Sequence, residues 1–318
     1  MQCLIDIDGL GKFFLNEEIS QDILTSLRKG KQKRLSFAIQ RLFFHAILEK
    51  DKTYKPQSIL GVLKEKNFIF KRENSEINPI ICLIFMLNEL HDELNWKKRI
   101  KNFKNVNKYN CQEVIQNSIF NYENSNDSII SNTFTIYCLK EINCTNCRKR
   151  SYLFHNYITF DLDILGYFNQ SKKNRIRIYD CLDFATQKKV IPNIYCESCT
   201  SINQAESLLS IINTPERLIF MIDRGDFDKN LMDLNFYIET EISLEPYMAY
   251  KKSNVKYELR GIVSIFQNKY ISFVKSENNF WCLFNDSIVQ KIEDFDFMNT
   301  NHGLKHFPCI LFYQLIKK

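Results

Sequence analysis

Cys144-Thr145-Asn146-Cys147 and, beyond the 48 residues 148–195, Cys196-Glu197-Ser198-Cys199 are the two stretches from which this sequence is best read outward. A two-residue gap lets both sulfurs of one turn converge on a single ion. Two such turns complete a tetrahedral thiolate site with Zn–S bonds of about 2.3 Å. Four thiolates form a soft, closed site with no position open to substrate, which favours zinc in a structural role. The competing reading is two unrelated reduced pairs at strand ends. Each pair stands between alternating apolar segments, which favours the metal.

The remaining seven cysteines, Cys3, Cys82, Cys111, Cys138, Cys181, Cys282 and Cys309, stand singly, most among apolar neighbours, and read as core fillers. Cys3 is the one near the place where a papain-like thiol belongs, but no helix start or capping pattern follows it directly. The chain has 318 residues, 45% hydrophobic and 14% aromatic, enough for a sizeable core in one large domain or two intimate subdomains. With 8 Gly, 6 Pro and no repeat at solenoid periods, it is neither collagenous nor linker-dominated.

Met1-Gln2-Cys3-Leu4-Ile5-Asp6 lacks the basic and apolar regions of a signal peptide, and the longest apolar run, residues 80–87, is too short to span a bilayer. The expectation is a protein of the cytoplasm or nucleus without membrane contact. In such a reducing compartment paired cysteines are metal ligands before they are disulfides. Net charge is +6, with basic clusters at Arg28-Lys29, Lys31, Lys33-Arg34, at Lys97-Lys98-Arg99, and at Lys172-Lys173, Arg175 and Arg177. The 37 acidic residues are spread along the same chain, so these clusters read as solvated faces rather than a direct nucleic-acid contact.

Apolar residues recur at three and four over residues 19–27 and 35–48, the period of helices with one buried face. Residues 79–94 continue the pattern, with Pro79 suited to a first helical turn. After a polar stretch at 121–128 the pattern changes to alternation, as in Phe134, Ile136, Cys138 and in Phe160, Leu162, Ile164, which predicts strands. Further strands are expected around Tyr257–Val263, Tyr270–Val274, Trp281–Phe284 and Ile310–Tyr313. The fold class is therefore α+β: one domain over 1–318, with a helical lobe at 1–120 and a β-rich lobe at 121–318.

With the knuckles placed, the chain resembles the ubiquitin-specific proteases across nearly its whole length. The residues that carry this are, in order, Leu90-His91-Asp92-Glu93-Leu94, Ser128-x-Ile130-x-x-x-Phe134, and Pro215-x-x-Leu218-Ile219-Phe220-x-Ile222-x-Arg224. The clearest are C-terminal: Tyr257-x-Leu259-x-Gly261-Ile262-Val263, Lys269-Tyr270-Ile271-Ser272-Phe273-Val274-Lys275, Trp281-Cys282-Leu283-Phe284-Asn285-Asp286-Ser287-x-Val289 and Ile310-Leu311-Phe312-Tyr313. The resemblance implies a papain-like fold with a helical thumb, an antiparallel-sheet palm and zinc-bearing fingers. It also implies an active thiol deubiquitinase, were the catalytic residues present.

The same resemblance shows where this chain departs. The family's Gly-Asn-Thr-Cys-Tyr helix start falls on Phe13-Phe14-Leu15-Asn16-Glu17-Glu18-Ile19, between Gly9-Leu10 and Ile23-Leu24-Thr25-Ser26-Leu27. The nucleophile position becomes Glu18, or Glu17 with the gap moved, and Phe13 takes the place of the oxyanion-steadying Asn. The family's Gly-His-Tyr reads Asn268-Lys269-Tyr270, so an ammonium stands where the base belongs. Asn285 survives as the orienting member. The motif that holds the basic ubiquitin tail reads Glu76-Ile77-Asn78, and Asn78 lacks the expected charge.

The sequence thus predicts a zinc-stabilised pseudo-deubiquitinase working by protein–protein contact. Ubiquitin or a ubiquitin-like protein, or the subunits of a larger complex, are its expected partners, as for the family's spliceosomal relative without catalytic residues. The alternative is an active cysteine-type deubiquitinase using Cys3. No catalytic role is expected for His45, His91, His155, His302 or His306.

Overall fold

The computed structural model describes residues 1–5, 7–28, 33–48, 56–66, 70, 78–97, 103–222, 234–250, 254–267, 269–286, 288–292 and 306–317. Short helices α1 (Gln2–Ile5) and α2 (Asp8–Phe14) lead into α3 (Glu17–Arg28), α4 (Arg34–Leu48), α5 (Gln57–Lys66), α6 (Pro79–Leu94), α7 (Cys111–Ser125) and α8 (Ile129–Phe134). Then come β1 (Ile136–Cys144), β2 (Arg150–Tyr157), β3 (Phe160–Asp161), α9 (Ile164–Ser171), β4 (Arg175–Arg177) and α10 (Ile178–Thr186). β5 (Lys189–Cys196), β6 (Ser201–Asn213), β7 (Arg217–Met221), β8 (Asn235–Tyr237) and β9 (Glu241–Ser243) follow. The chain closes with β10 (Lys256–Phe266), β11 (Lys269–Lys275), β12 (Trp281–Asn285), β13 (Ile288–Ile292) and β14 (Phe307–Leu315). Among the described residues no helix is long and apolar enough to cross a membrane.

These elements pack into two compact units that interleave along the chain. The first holds Met1–Trp96, Ser128–Thr133 and Arg260–Phe312; the second holds Lys97–Asp127, Phe134–Leu259 and Tyr313–Lys318. The strands after Arg260 therefore belong with the N-terminal helices, which a division at residue 120 does not foresee. Each unit closes its own core from segments far apart in sequence, and sequence patterning reports elements rather than partners.

In the first unit α4 buries Leu35, Ala38, Ile39, Leu42 and Phe43, the spacing of one helical face. Phe43 stacks on Phe14 with ring centroids 5.3 Å apart. The first turn of α4 is capped from another helix. Glu93, from the last turn of α6, accepts from the N–H of Leu35 (3.2 Å) and of Ser36 (2.7 Å). Lys66 bonds Glu93 at 3.0 Å and also pairs with Glu89. Burial opposes the Lys66 charge, but the two carboxylates prevail and push its pKa up. The strands of this unit lie in the order β13-β12-β11-β10-β14.

In the second unit β2-β1-β6-β5 form an antiparallel sheet, and β3 runs parallel to β7, with Phe160 opposite Phe220. Val114 and Ile115 of α7 cover Leu139, Tyr152 and Phe154 on one face of the four-stranded sheet.

Helices at 17–28, 34–48 and 79–94 match the expected spans closely. Two expected strands do not form as read. Phe134 ends α8, and β1 begins at Ile136. Ile164 opens α9 because Asp163 caps it, its carboxylate accepting from the Gly166 N–H at 2.7 Å. A Cβ on Gly166 would lie 2.2 Å from that carboxylate, so the cap needs glycine there.

Candidate metal centre and catalytic-box positions

The antiparallel register decides where the knuckles meet. β1 ends at Cys144 opposite Ala205 of β6, and β5 ends at Cys196 opposite Ser201, so both turns emerge at the same end of the sheet. The ligand atoms of Cys144, Cys147, Cys196 and Cys199 all lie within 4.8 Å of one another. The Cys147–Cys196 sulfurs are 3.6 Å apart and the Cys144–Cys199 sulfurs 3.9 Å. A tetrahedron with metal–sulfur bonds of about 2.3 Å has sulfur–sulfur edges of about 3.8 Å. The spacing fits such a tetrahedron and is far too long for a disulfide. The four residues could therefore hold one zinc ion, which would clip β1–β2 to β5–β6.

The backbone around the knuckles repeats itself. The residue after the second cysteine of each turn, Arg148 (φ 57°) and Thr200 (φ 49°), adopts the left-handed conformation. The Arg148 N–H closes the first turn on the Cys144 carbonyl at 2.9 Å, and the Thr145 N–H reaches Gln204 at 3.2 Å. Neither position carries the glycine that would signal it in the sequence.

Polar groups then crowd one sulfur. Ser201 Oγ lies 3.1 Å, Asn203 Nδ2 3.5 Å and Asn146 Nδ2 3.7 Å from Cys199 Sγ. The Ser201 hydroxyl, helped by neighbouring donors, draws the Cys199 thiol down to about 6. Cys147 also takes a lowering bond from the Lys149 backbone, but burial and the other thiols push it up to about 11. Four adjacent thiolates repel one another, and a divalent cation removes that repulsion. Lys108 pairs with Glu197 inside the second knuckle at 2.5 Å, and Lys108 and Lys149 both stand over the Tyr109 ring. Reading the cysteines alone missed these outer groups, although Ser201 and Asn203 directly follow the second knuckle.

The catalytic-box positions lie in the first unit. Lys269 opens β11, exposed, with Nζ 3.6 Å from a carboxylate oxygen of Asp286. Asn285 closes β12 immediately before Asp286, which turns the chain with φ 53°. The fold therefore brings the base position and the orienting position together. Glu18 sits exposed in the first turn of α3, which packs on α2 and α4. The residue that caps α3 is Asn16, whose Oδ1 accepts from the Ile19 N–H at 3.1 Å. Phe13 lies half-buried near the end of α2, edge-on to Phe14 at 5.3 Å.

Asn78 caps α6, accepting from the Ile80 N–H at 2.9 Å, with Pro79 in the first turn. An amide serves that cap as well as a carboxylate, so the charge can vary without loss of the helix start. Glu76, Ile77, Arg224, Asn268, Ser287 and His302 lie outside the described residues, as do Lys29, Lys31, Lys98 and Arg99.

A short helix does surround Cys3, which the sequence did not indicate. The residue is 4% exposed, and its sulfur faces the carbonyls of Ile262 (3.8 Å) and Phe273 (4.0 Å). A Cβ on Gly261 would meet that sulfur at 3.1 Å, so the glycine makes room for Cys3. The sulfur and Cys82 line a largely apolar groove of about 720 Å³, with Met1, Met86, Tyr270 and Asp286 also on its wall. His306 sits 3.2 Å from Ser264 Oγ with its ring against Phe273, and His91 lies 2.7 Å from the buried Ser128 hydroxyl that caps α8.

The ubiquitin carboxyl-terminal hydrolase family model matches residues 1–313. Ubiquitin carboxyl-terminal hydrolase 8 of Saccharomyces cerevisiae is 26% identical over 252 residues, covering 73% of this chain and 48% of that protein. Ubiquitin carboxyl-terminal hydrolase 13 of the same yeast is 22% identical over 282 residues, covering 83% of this chain and 35% of that protein. This chain thus spans about half, or less, of the length of these curated relatives. Among solved structures, the SAGA DUB module of Ubp8, Sgf11, Sus1 and Sgf73 bound to monoubiquitin aligns with a TM-score of 0.64 at 20% identity, over 98% of this chain and 66% of that one. The same module bound to ubiquitin aldehyde gives 0.64 at 19% identity, over 97% and 66%. A match running from residue 1 to residue 313, together with a mixed α+β fold of antiparallel sheets shared with Ubp8, places this chain in the ubiquitin carboxyl-terminal hydrolase family.

Proposed function

We propose that this chain is a non-catalytic member of its family that works by contact with other proteins, ubiquitin among them, as a subunit of a larger complex. The observation that carries the proposal is Lys269. Acyl transfer needs a group that takes the nucleophile's proton and returns it to the leaving amine. A lysine side chain offers donors and no acceptor, and this one stands 3.6 Å from an Asp286 carboxylate oxygen. Asn285, at the end of β12, is the kind of residue that would orient an imidazole, which a lysine does not supply.

The remaining positions support the same reading. Glu18 sits on an exposed, capped helix start and would be a poor nucleophile even beside a base. The active alternative would need Cys3, whose thiol is buried against carbonyls. Several basic residues proposed as solvated are paired: Lys33 with Asp22, Arg34 with Glu65, and Arg177 with Asp180 at 3.5 Å. Such pairing weakens a nucleic-acid reading. The monoubiquitin-bound Ubp8 module supplies the precedent for both ubiquitin and a multi-subunit setting.

Two measurements test this. A ubiquitin probe with a thiol-reactive C-terminus should leave the protein unlabelled, and unmodified ubiquitin should still bind in titration calorimetry. Labelling at any cysteine together with cleavage of a ubiquitin–fluorophore substrate would overturn the non-catalytic reading. Absence of any ubiquitin binding would move the partner to the other proteins that co-purify with the native chain.

A further inference from the structure

The four ligands of the proposed zinc site are not equivalent. Cys199 carries three side-chain donors, from Ser201, Asn203 and Asn146. Cys144 is 5% exposed and takes the backbone N–H groups of Cys147 and Asn146. Cys196 is half-buried and lies close to the Lys108 ammonium. Cys147 is the exposed member, and outside the sulfur cluster its donor is the backbone N–H of Lys149. Hydrogen bonds draw electron density from a metal-bound sulfur, and burial blocks approach to it, so Cys144 and Cys199 are protected and Cys196 is partly screened.

We propose that Cys147 is the reactive ligand, the point at which peroxides and soft carbon electrophiles enter the site, with Cys196 as the resolving sulfur. The inference rests on the zinc reading and adds an order of reactivity to it. With hydrogen peroxide, the Cys147 sulfur attacks one oxygen and the O–O bond breaks. The departing hydroxide takes a proton to become water, and the sulfur is left as a sulfenic acid, a poor zinc ligand. The Cys196 sulfur, 3.6 Å away, then displaces the second oxygen, which also leaves as water after protonation. Two thiolates, one peroxide and two protons thus give one disulfide, two waters and a released Zn²⁺. The Cys144–Cys199 pair, at 3.9 Å, is shielded from the first step by burial and by donors. Release would unclip β1–β2 from β5–β6 without touching the first unit.

The test uses the full chain, first shown by elemental analysis to carry one zinc. Absence of zinc at that point would sink the metal reading itself, before any reagent is added. The loaded protein is then treated with limiting iodoacetamide or hydrogen peroxide, while peptide mapping follows each cysteine and a chromophoric chelator follows zinc. Cys147 should be alkylated first, about tenfold or more ahead of Cys199, with zinc release tracking its loss. Peroxide should give the Cys147–Cys196 disulfide. Ser201→Ala and Asn203→Ala should speed labelling of Cys199 and leave Cys147 unchanged. First attack on Cys144 or Cys199, a Cys144–Cys199 disulfide, or zinc release that precedes any change at Cys147 would overturn the proposal.

Discussion

The cysteine cluster of the second unit and the catalytic-box positions of the first make an instructive pair. At the cluster four side chains from two distant turns converge within 4.8 Å, with outer donors in place. At the box positions the scaffold sets Lys269 beside Asp286, the residue after Asn285, and places Glu18 in the exposed first turn of α3. The difference follows from what each residue does for the fold. A zinc ligand holds two hairpins together, so its loss is felt as stability. A side chain at an exposed strand start, such as Lys269, holds little of the fold, so exchange there should have little effect on folding.

The largest expected effect tests the first half of that contrast. Cys144→Ala, or chelation of the wild type, should take zinc content from one per chain to none. Structural zinc is worth about 10–16 kcal/mol in small zinc peptides, so the local consequence should be strong. Hydrogen exchange should accelerate at the ends of β1, β2, β5 and β6 and stay unchanged in α2 to α6. Acid should act in the same direction, since protonated thiols release the ion as pH falls. Uniform acceleration through both units would break the comparison.

Overpacking at Gly261 comes next, since it probes the scaffold beneath the box positions. Gly261→Ala should cost about 1–3 kcal/mol in denaturant unfolding, because the new methyl meets Cys3. Adding Cys3→Ala should return part of that loss, and strict additivity of the two would show that they do not touch.

Removing the cap with Asn78→Ala should cost about 1 kcal/mol, whereas Asn78→Asp should be neutral to stability while restoring a charge. An equal loss from both variants would mean that the side chain matters for something other than the α6 start.

Lys269→His should change stability by about 0.5 kcal/mol or less, as expected of an exposed surface pair. It should not create hydrolysis of a ubiquitin–fluorophore substrate, alone or with Glu18→Cys, because Phe13 would still offer no oxyanion donor and Asn78 no charge to the substrate tail. Rapid turnover by the double variant would erase the contrast between the two sites.

Local chemistry was legible wherever a residue acts through its sequence neighbours. The α6 span was readable because Pro79 and the apolar period both lie within it. The convergence of the four cysteines was readable because a two-residue gap constrains a turn by itself. Asp163 was as local a signal, yet the alternation of Phe160, Leu162 and Ile164 outweighed it, and a cap bonded to Gly166 ended the strand after two residues.

By itself the sequence determined the family, the α+β class and the four cysteines that could hold a metal ion, since each rests on residue types in a fixed order or spacing. Tertiary structure alone decided which segments share a core, that Glu93 caps the helix whose first turn holds Ser36, 57 residues earlier in the chain, and that Gly261 yields space to Cys3. Those outcomes depend on contacts between residues far apart along the chain. Their free energy exists only once the backbone has closed around them, and no local pattern encodes it.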